Sequence, residues 1–446
     1  MREIVERVWD TLTGSSPGAF ELTGTEAVLP GPYRVAAAAT ASIAAATLAA
    51  GEMLRLRGIE PGVVTADTRH AAAAFHSEQL LKVDGVGAES VWAPLSGNYR
   101  TADGWVRLHC NYPRHEAAVC WGLGVPGTRN AVEKAVAGRS AREVEHAVVS
   151  AGGAAAELRS PEDWAVHPQG EAVASLPLVS LEPVADAPKR TLFYSDRPLG
   201  GIRVLELTHV LAGPVAGRVL AAHGADVLHI GAAHLPRVEA LVRDTNQGKR
   251  SAFVALDTEG GRARLKKLIS RADVLVQSFR PGALERIGFG PAELASLRPG
   301  LVIADLSAYG WEGPWARRRG FDSLVQMSNG MAFSPDEPTP LPVQALDHAT
   351  GWLTAAAVMT ALRRQVTDGG TWRARLSLAG TGRWLDSLGR KDPAGSPVDY
   401  SDLMEEADSG YGRLTRVRMA GGLPGSEPYW EFGTREPGVD KPTWTP

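Results

Sequence analysis

The sequence predicts an α/β protein: a Rossmann-like doubly wound parallel sheet domain joined to a smaller mixed α/β domain. Three observations carry this. From Gly201, a short apolar run through Val204, Leu205 and Leu207 is broken at Gly213 and Pro214. Val219, Leu220, Ala222 and Val227 then recur at helical and strand spacing, which reads as strand, turn, helix, strand. A second unit follows, with an apolar strand at 251–256, a basic amphipathic helix at 260–270 and another strand at 273–277. Residues 91–185 instead mix a turn at 102–104, an alternating strand and short helices, as a small α/β domain would. Parallel strands of the first kind bind ligands beyond their carboxyl ends, so a site is expected at 209–214 and 278–282.

Taken in order, residues 1–28 read as a short amphipathic helix and a loop, and 35–57 as an alanine-rich helix. The region 1–90 is an N-terminal helical segment that echoes a later stretch. An offset of 310 places Pro32 over Pro342, Thr40 over Thr350 and Phe75 over Leu385 without a gap, and puts Ala37 where the later stretch has Asp347. In the small domain, Ser140 followed by Glu143 is a capping box ahead of an apolar helical pattern. Ser160, Pro161, Glu162 and Asp163 start another helix, with proline in its first turn. A linker at 186–200 holds Pro188 and Pro198, the large domain runs over 201–385, and 386–446 reads as an extended tail rich in glycine, proline and charge.

A net charge of −3 provides no electrostatic reason to expect nucleic acid or an anionic membrane as partner. Cys110 and Cys120 form no CxxC pattern, so neither a disulfide framework nor a zinc site is suggested and a cytoplasmic setting is expected. His109, Cys110 and His115 have spacing that fits no closed metal site, and no metal is expected. The alanine-rich span falls short of a bilayer-crossing segment in apolarity and reads as a buried helix.

The blocks RVLELTHVLAGPVAG, HGADVLHI, GKRSAFVALD, ADVLVQSFRPGALERIGFG, LVIADLSAYGWEGPW, GFDSLVQMSNGMAF and LDHATGWLTAAAVMTAL follow one another from Gly201 to Leu362. In wording and order they resemble the family III CoA-transferases, which include the formyl-CoA and carnitine CoA-transferases and the α-methylacyl-CoA racemases. The stretches YRTADGWV and VHPQGEAV look like that family's small domain, which there comes after the Rossmann-like half; here it precedes it, so the halves are permuted or fused. The resemblance implies a CoA-transferase that moves CoA between an acyl-CoA and a free carboxylic acid, with no permanently bound cofactor and CoA thioesters as substrates. It also implies a homodimer.

Carried over residue by residue, the resemblance makes Asp347 the nucleophile. It places His209, Val210, Leu211, Ala212, Ser278, Phe279, Arg286 and Arg319 against CoA, and Asp322 and Gly351 near the reacting groups. A carboxylate suits the task, since attack on a thioester yields a mixed anhydride that the released thiolate can open to an aspartyl-CoA thioester. Taken alone, Asp347 would instead read as a helix N-cap. Arg317, Arg318 and Arg319 would read as a solvated charged face. The sequence departs from the family after HGADVLHI, where GAAHLPRVEALVRD replaces a CoA-holding arginine loop and leaves Arg237 and Arg243 as substitutes. The racemase alternative needs a histidine in the block where Phe321 stands between Gly320 and Asp322. A non-catalytic acyl-CoA-binding protein is the remaining alternative.

Overall fold

The computed structural model describes every residue except Ala88, Glu89, Pro335, Ser396, Pro397 and Pro446. Its centre is a seven-stranded sheet. Across the sheet the strands run Lys249–Phe253, Asp226–Gly231, Arg203–Leu207, Val274–Gln277, Val302–Ser307, Thr371–Ser377 and Ser180–Ala185. The first six are parallel, and the seventh joins the edge antiparallel. Counted from Arg203, the parallel strands lie in the order 3-2-1-4-5-6, so the direction of travel reverses between Arg203–Leu207 and Val274–Gln277. The crevice beyond that reversal is where doubly wound sheets hold ligands. The loops at 209–214 and 278–282 leave from these two strands.

Near-continuous burial of Val204 to Leu207 and of Val274 to Val276 is what a strand covered on both faces requires. One core lies on the side that includes Val204, Val274, Val276 and the helix Ala345–Thr367, and another on the side of Leu205, Leu207, Leu275 and Ile303. The strand expected at 251–256 begins earlier, at Lys249, a residue that reads as surface until its fully buried ammonium is seen 2.7 Å from Glu206.

The small domain is a three-stranded antiparallel sheet, Gly97–Arg100, Trp105–Leu108 and Ala155–Glu157, under helices with their own apolar core. Both capping boxes form, at Ser140 with Glu143 and at Ser160 with Asp163. This domain stops short of residue 185, because Ser180–Ala185 pairs with Thr371–Ser377 and belongs to the large sheet. It docks through Ala154 and Ala156 on Leu324 and Met327 of the helix Asp322–Ser328.

The N-terminal segment is not a separate body. The helix Val35–Arg55 passes a length and apolarity test for a membrane span, yet every residue from Val35 to Gly51 is buried in the protein. It shares one core with the helix Ala345–Thr367. Alanine spacing makes this fit possible, since small side chains let two helices approach closely. A strand at Phe20–Thr23, where a loop was expected, pairs in parallel with Val64–Asp67. At the offset of 310, Val35–Arg55 falls on Ala345–Thr367, Asp67 on Ser377, and Thr68–Phe75 on Leu378–Ser387. The order strand, helix, strand, helix is thus shared, but the first connection is much shorter at 24–34 than at 308–344.

The C-terminal stretch is more than an extended surface tail. Met404–Ser409 and Gly412–Val417 form a hairpin that pairs with Lys82–Val83. Trp430 and Trp444 are buried, donating their indole N–H groups to the carbonyls of Arg218 and Leu268, both at 2.9 Å. A few aromatic anchors compensate for the low apolar content that made this region look unstructured.

Candidate active site

The first loop carries an unusual backbone. Val210 has φ 69°, the left-handed region that a β-branched residue avoids at a cost of about 1–3 kcal/mol. Leu211 points the other way, into the core, and holds the loop there rather than facing a ligand. The turn brings Val210 to a cavity wall and starts the helix Ala212–Ala222, which has no side-chain cap on its first N–H groups. The second loop is pinned from below. Gln277 Oε1 accepts the Phe279 N–H at 2.8 Å, Gln277 Nε2 donates to Asp305 at 2.7 Å, and Asp305 pairs with Arg373 at 2.6 Å. Phe279 meets His209 edge to face at 6.4 Å.

Between the loops lies a cavity of about 440 Å³. His209, Val210, Ala212, Ser278, Phe279, Arg319 and Asp347 all line it. The small domain closes it with Tyr112, Arg114 and His115, and Phe321 lies alongside. Arg286 is outside this lining; with Arg317 it lies against the Gly282 turn at the exposed rim. A second, narrower cavity shares Tyr112, His209 and Val210 and continues past Leu235, Pro236 and Arg237 toward Leu241 and Phe253. Arg243 is away from both cavities, its guanidinium 5.1 Å from the Tyr411 ring.

Asp347 does not cap its helix. The helix Ala345–Thr367 begins after Gln344, and its first-turn N–H groups are taken in trans: Asp322 Oδ2 accepts from Leu346 at 2.8 Å and from Asp347 at 2.9 Å. Gln326 donates to the other oxygen of Asp322. Asp322, fully buried, therefore stands behind Asp347 and orients it without reaching the cavity. The Asp347 side chain is left free to face the cavity from the positive end of a helix. Gly351 likewise does not line the cavity. It is one turn into the helix, where an added Cβ would lie 2.6 Å from the Ala212 carbonyl oxygen and 2.7 Å from Val215. Its absent side chain lets the two helices touch, and its N–H sits within a helix and is no free oxyanion donor.

Burial, then the charge of Asp322, then that of Glu78 raise the Asp347 pKa well above the usual carboxylate range, while the backbone of Ala212 works the other way. Asp322 is itself pushed up to about 6 by burial. Glu78 comes from the N-terminal segment and forms a buried pair with His348 at 3.0 Å. Beneath the first loop, Glu206 accepts from Thr208 at 2.8 Å and pairs with Lys249 at 2.7 Å and with His229 at 3.0 Å. Burial opposes its charge, but Lys249 and His229 hold it down to about 2.

Of the three consecutive arginines, Arg317 is exposed as a solvated charge would be, but Arg318 and Arg319 are not. Arg318 donates to the Ala155 carbonyl at 2.8 Å and pairs with Glu145 at 2.7 Å; Arg319 donates to the Gly152 carbonyl at 2.7 Å. Both fasten the Asp322 block to the small domain. Sequence reasoning missed Tyr112, Arg114, Glu78 and His348 as neighbours of the site, and took His115 only as part of a non-matching metal set. The one available signal was a polar Tyr-Pro-Arg-His run opening a helix directly after a strand. Among the described residues, no group of three or more His, Cys, Asp or Glu is placed to hold a metal ion.

Residues 199–387 match the family model of CoA-transferase family III. The chain is similar to an acetyl-coenzyme A transferase of Hypoxylon pulicicidum, with 34% identity over 224 residues, 48% of this chain and 37% of that one. It is 29% identical over 399 residues to an acyl-CoA transferase of Gibberella moniliformis, covering 78% of this chain and 70% of the relative. A succinate–glutarate CoA-transferase of Agrobacterium fabrum is 34% identical over 194 residues, 39% of this chain and 48% of its own length. The chain spans about half or less of the length of the first and third relatives. The alignment to the Gibberella protein is too long to fit within the residues after 200, so that relative shares sequence on both sides of the linker. The likeness to the family III CoA-transferases thus lies in residues 199–387, less than half of the chain.

Proposed function

We propose that the protein is a CoA-transferase that moves CoA between an acyl-CoA and a free carboxylic acid, with Asp347 as the covalent nucleophile. The observation that carries this is one carboxyl group facing a cavity that both switch-point loops and the small domain build together. An Asp347 carboxylate oxygen bonds to the thioester carbonyl carbon, the carbonyl π pair moves to oxygen, and collapse expels the CoA thiolate. The thiolate then attacks the aspartyl carbonyl of the mixed anhydride, freeing the first acid and leaving an aspartyl-CoA thioester. The second acid repeats the sequence in reverse, so no ATP is needed.

In this reading the pantetheine runs along His209, Val210 and Ala212 between Ser278 and Phe279. The exposed guanidinium groups of Arg114, Arg280, Arg286 and Arg317 have no carboxylate partner among the described residues and suit the phosphates of the nucleotide. The Ala212 N–H, aimed toward the Asp347 carboxyl, suits an oxyanion. No cofactor is held permanently; CoA is substrate. Incubation with succinyl-CoA, acetyl-CoA and a pool of acids, followed by mass spectrometry of new CoA esters, tests the activity. Asp347→Ala should lower exchange by at least roughly 10³-fold while retaining CoA binding, and hydroxylamine added during turnover should convert Asp347 to a hydroxamate. Wild-type turnover by the alanine variant would remove the assignment.

A further inference from the structure

We propose that His115, from the small domain, is a further catalytic residue of this transfer: its ring N–H hydrogen-bonds the thioester carbonyl oxygen as Asp347 attacks. The inference rests on the reading of Asp347 above. His115 is the third residue of the helix Pro113–Leu123 and is 1% exposed, yet neither ring nitrogen has a hydrogen-bond partner. A core histidine in a settled structure is normally satisfied, so a buried imidazole with both nitrogens unmatched calls for a partner that arrives from elsewhere. This one lines the cavity into which Asp347 faces.

Its neighbours fix the ring without bonding its nitrogens. His109 stacks on Phe321 with centroids 3.7 Å apart and planes within 2°. His115 meets Phe321 at 5.8 Å and Tyr112 at 5.3 Å, both edge on. Phe321 directly precedes Asp322, the residue that accepts the Asp347 N–H, so the imidazole wall and the nucleophile are tied to one short segment. Arg114 and Arg319 lie close enough to His115 to disfavour its protonated form, after burial has already done so, and its pKa falls to about 4. At neutral pH the ring thus offers one N–H, in surroundings made favourable to developing negative charge by two guanidinium groups.

In the step itself, the carbonyl π pair moves onto oxygen as the Asp347 oxygen bonds to carbon. The His115 N–H and the Ala212 N–H bond that oxygen, no proton leaves the imidazole, and the pair returns as the C–S bond breaks.

The test compares two side chains of similar length in the full chain, His115→Gln, which keeps an N–H donor, and His115→Met, which does not. The methionine variant should lose roughly 100-fold in kcat, as removal of an oxyanion donor does, with the KM for acyl-CoA little changed, and the glutamine variant should recover most of that loss. Equal kcat values for the two variants would overturn the proposal. As a second measurement on the wild-type chain, a ketone analogue of an acyl-CoA should shift the ¹⁵N resonance of the donating ring nitrogen of His115; an unmoved resonance also overturns it. Asp347→Ala is run alongside: if it exchanges CoA as fast as wild type, the Asp347 reading fails, whereas an inert Asp347→Ala with matched glutamine and methionine variants removes only His115.

Discussion

The segment around the helix Val35–Arg55 and the segment around Ala345–Thr367 share a plan of strand, helix, strand, helix, at a constant offset from the first helix onward, and their helices pack in one core. Of the two, the second turns a carboxylate, Asp347, to the cavity described above. Where Asp347 stands in one, Ala37 stands in the other; where Gly351 permits contact with Ala212 and Val215, Ala41 carries a methyl group. The connection that delivers Phe321 and Asp322 in the second segment has no room in the shorter 24–34 of the first. The comparison teaches that a long buried helix in this fold is scaffold by default. The proposed chemistry rests on three additions: an acid in its first turn, an acceptor in trans for that turn's N–H groups, and a glycine that seats it against the loop helix.

The largest test of this contrast moves the acid. Ala37→Asp in an Asp347→Ala background should restore no exchange, because residue 37 is fully buried in the helix core and lines neither of the two cavities at the site. It should also cost roughly 3–5 kcal/mol of stability in chemical denaturation, as an unpaired buried charge does. Restored exchange would show that the two segments are functionally equivalent after all. Next in size is the helix contact. Gly351→Ala forces a Cβ to 2.6 Å from a backbone oxygen and should cost about 1–3 kcal/mol with a loss of kcat. The reciprocal Ala41→Gly should cost about 1 kcal/mol with activity unchanged.

The smallest effect sharpens the role of the acceptor. In the proposed transfer Asp347 attacks as the carboxylate, and its pKa is raised by burial first and by Asp322 next, so kcat should rise with pH along a limb above the ordinary carboxylate range. Asp322→Asn keeps an oxygen for the two N–H groups but removes the charge, and should move that limb to lower pH. The same substitution alters stability. A carboxyl raised from 3.8 to about 6 on folding binds its proton more tightly in the folded state, so stability falls as pH rises across that interval and levels off above it. The asparagine variant should lose that part of the decline in thermal melts between those pH values.

Much of this was legible in the residues. Apolar runs broken by glycine and proline were enough to expect the parallel sheet and the two loops at its reversal, because strand burial and turn chemistry are local properties. The capping boxes at Ser140 and Ser160 were readable for the same reason. Less legible were Lys249 as the start of a buried strand, since its partner Glu206 lies on a non-adjacent strand, and the tail, whose tryptophans are anchored by carbonyls far away in sequence. Arg318 and Arg319 read as solvent-facing until Glu145 and the carbonyls of Gly152 and Ala155 met them.

The sequence alone determined the class of fold, the place where the sheet reverses direction and the presence of an acid at the head of a glycine-containing helix, because these depend on spacing along the chain. Only the tertiary structure decided which groups surround that acid: Asp322 behind it, Glu78 from the opposite end of the chain near it, and His115 and Tyr112 brought in from a domain that precedes it. Burial and proximity set the charge state of a carboxyl group and the donors it meets, and both belong to atoms gathered across hundreds of residues, which no local pattern encodes.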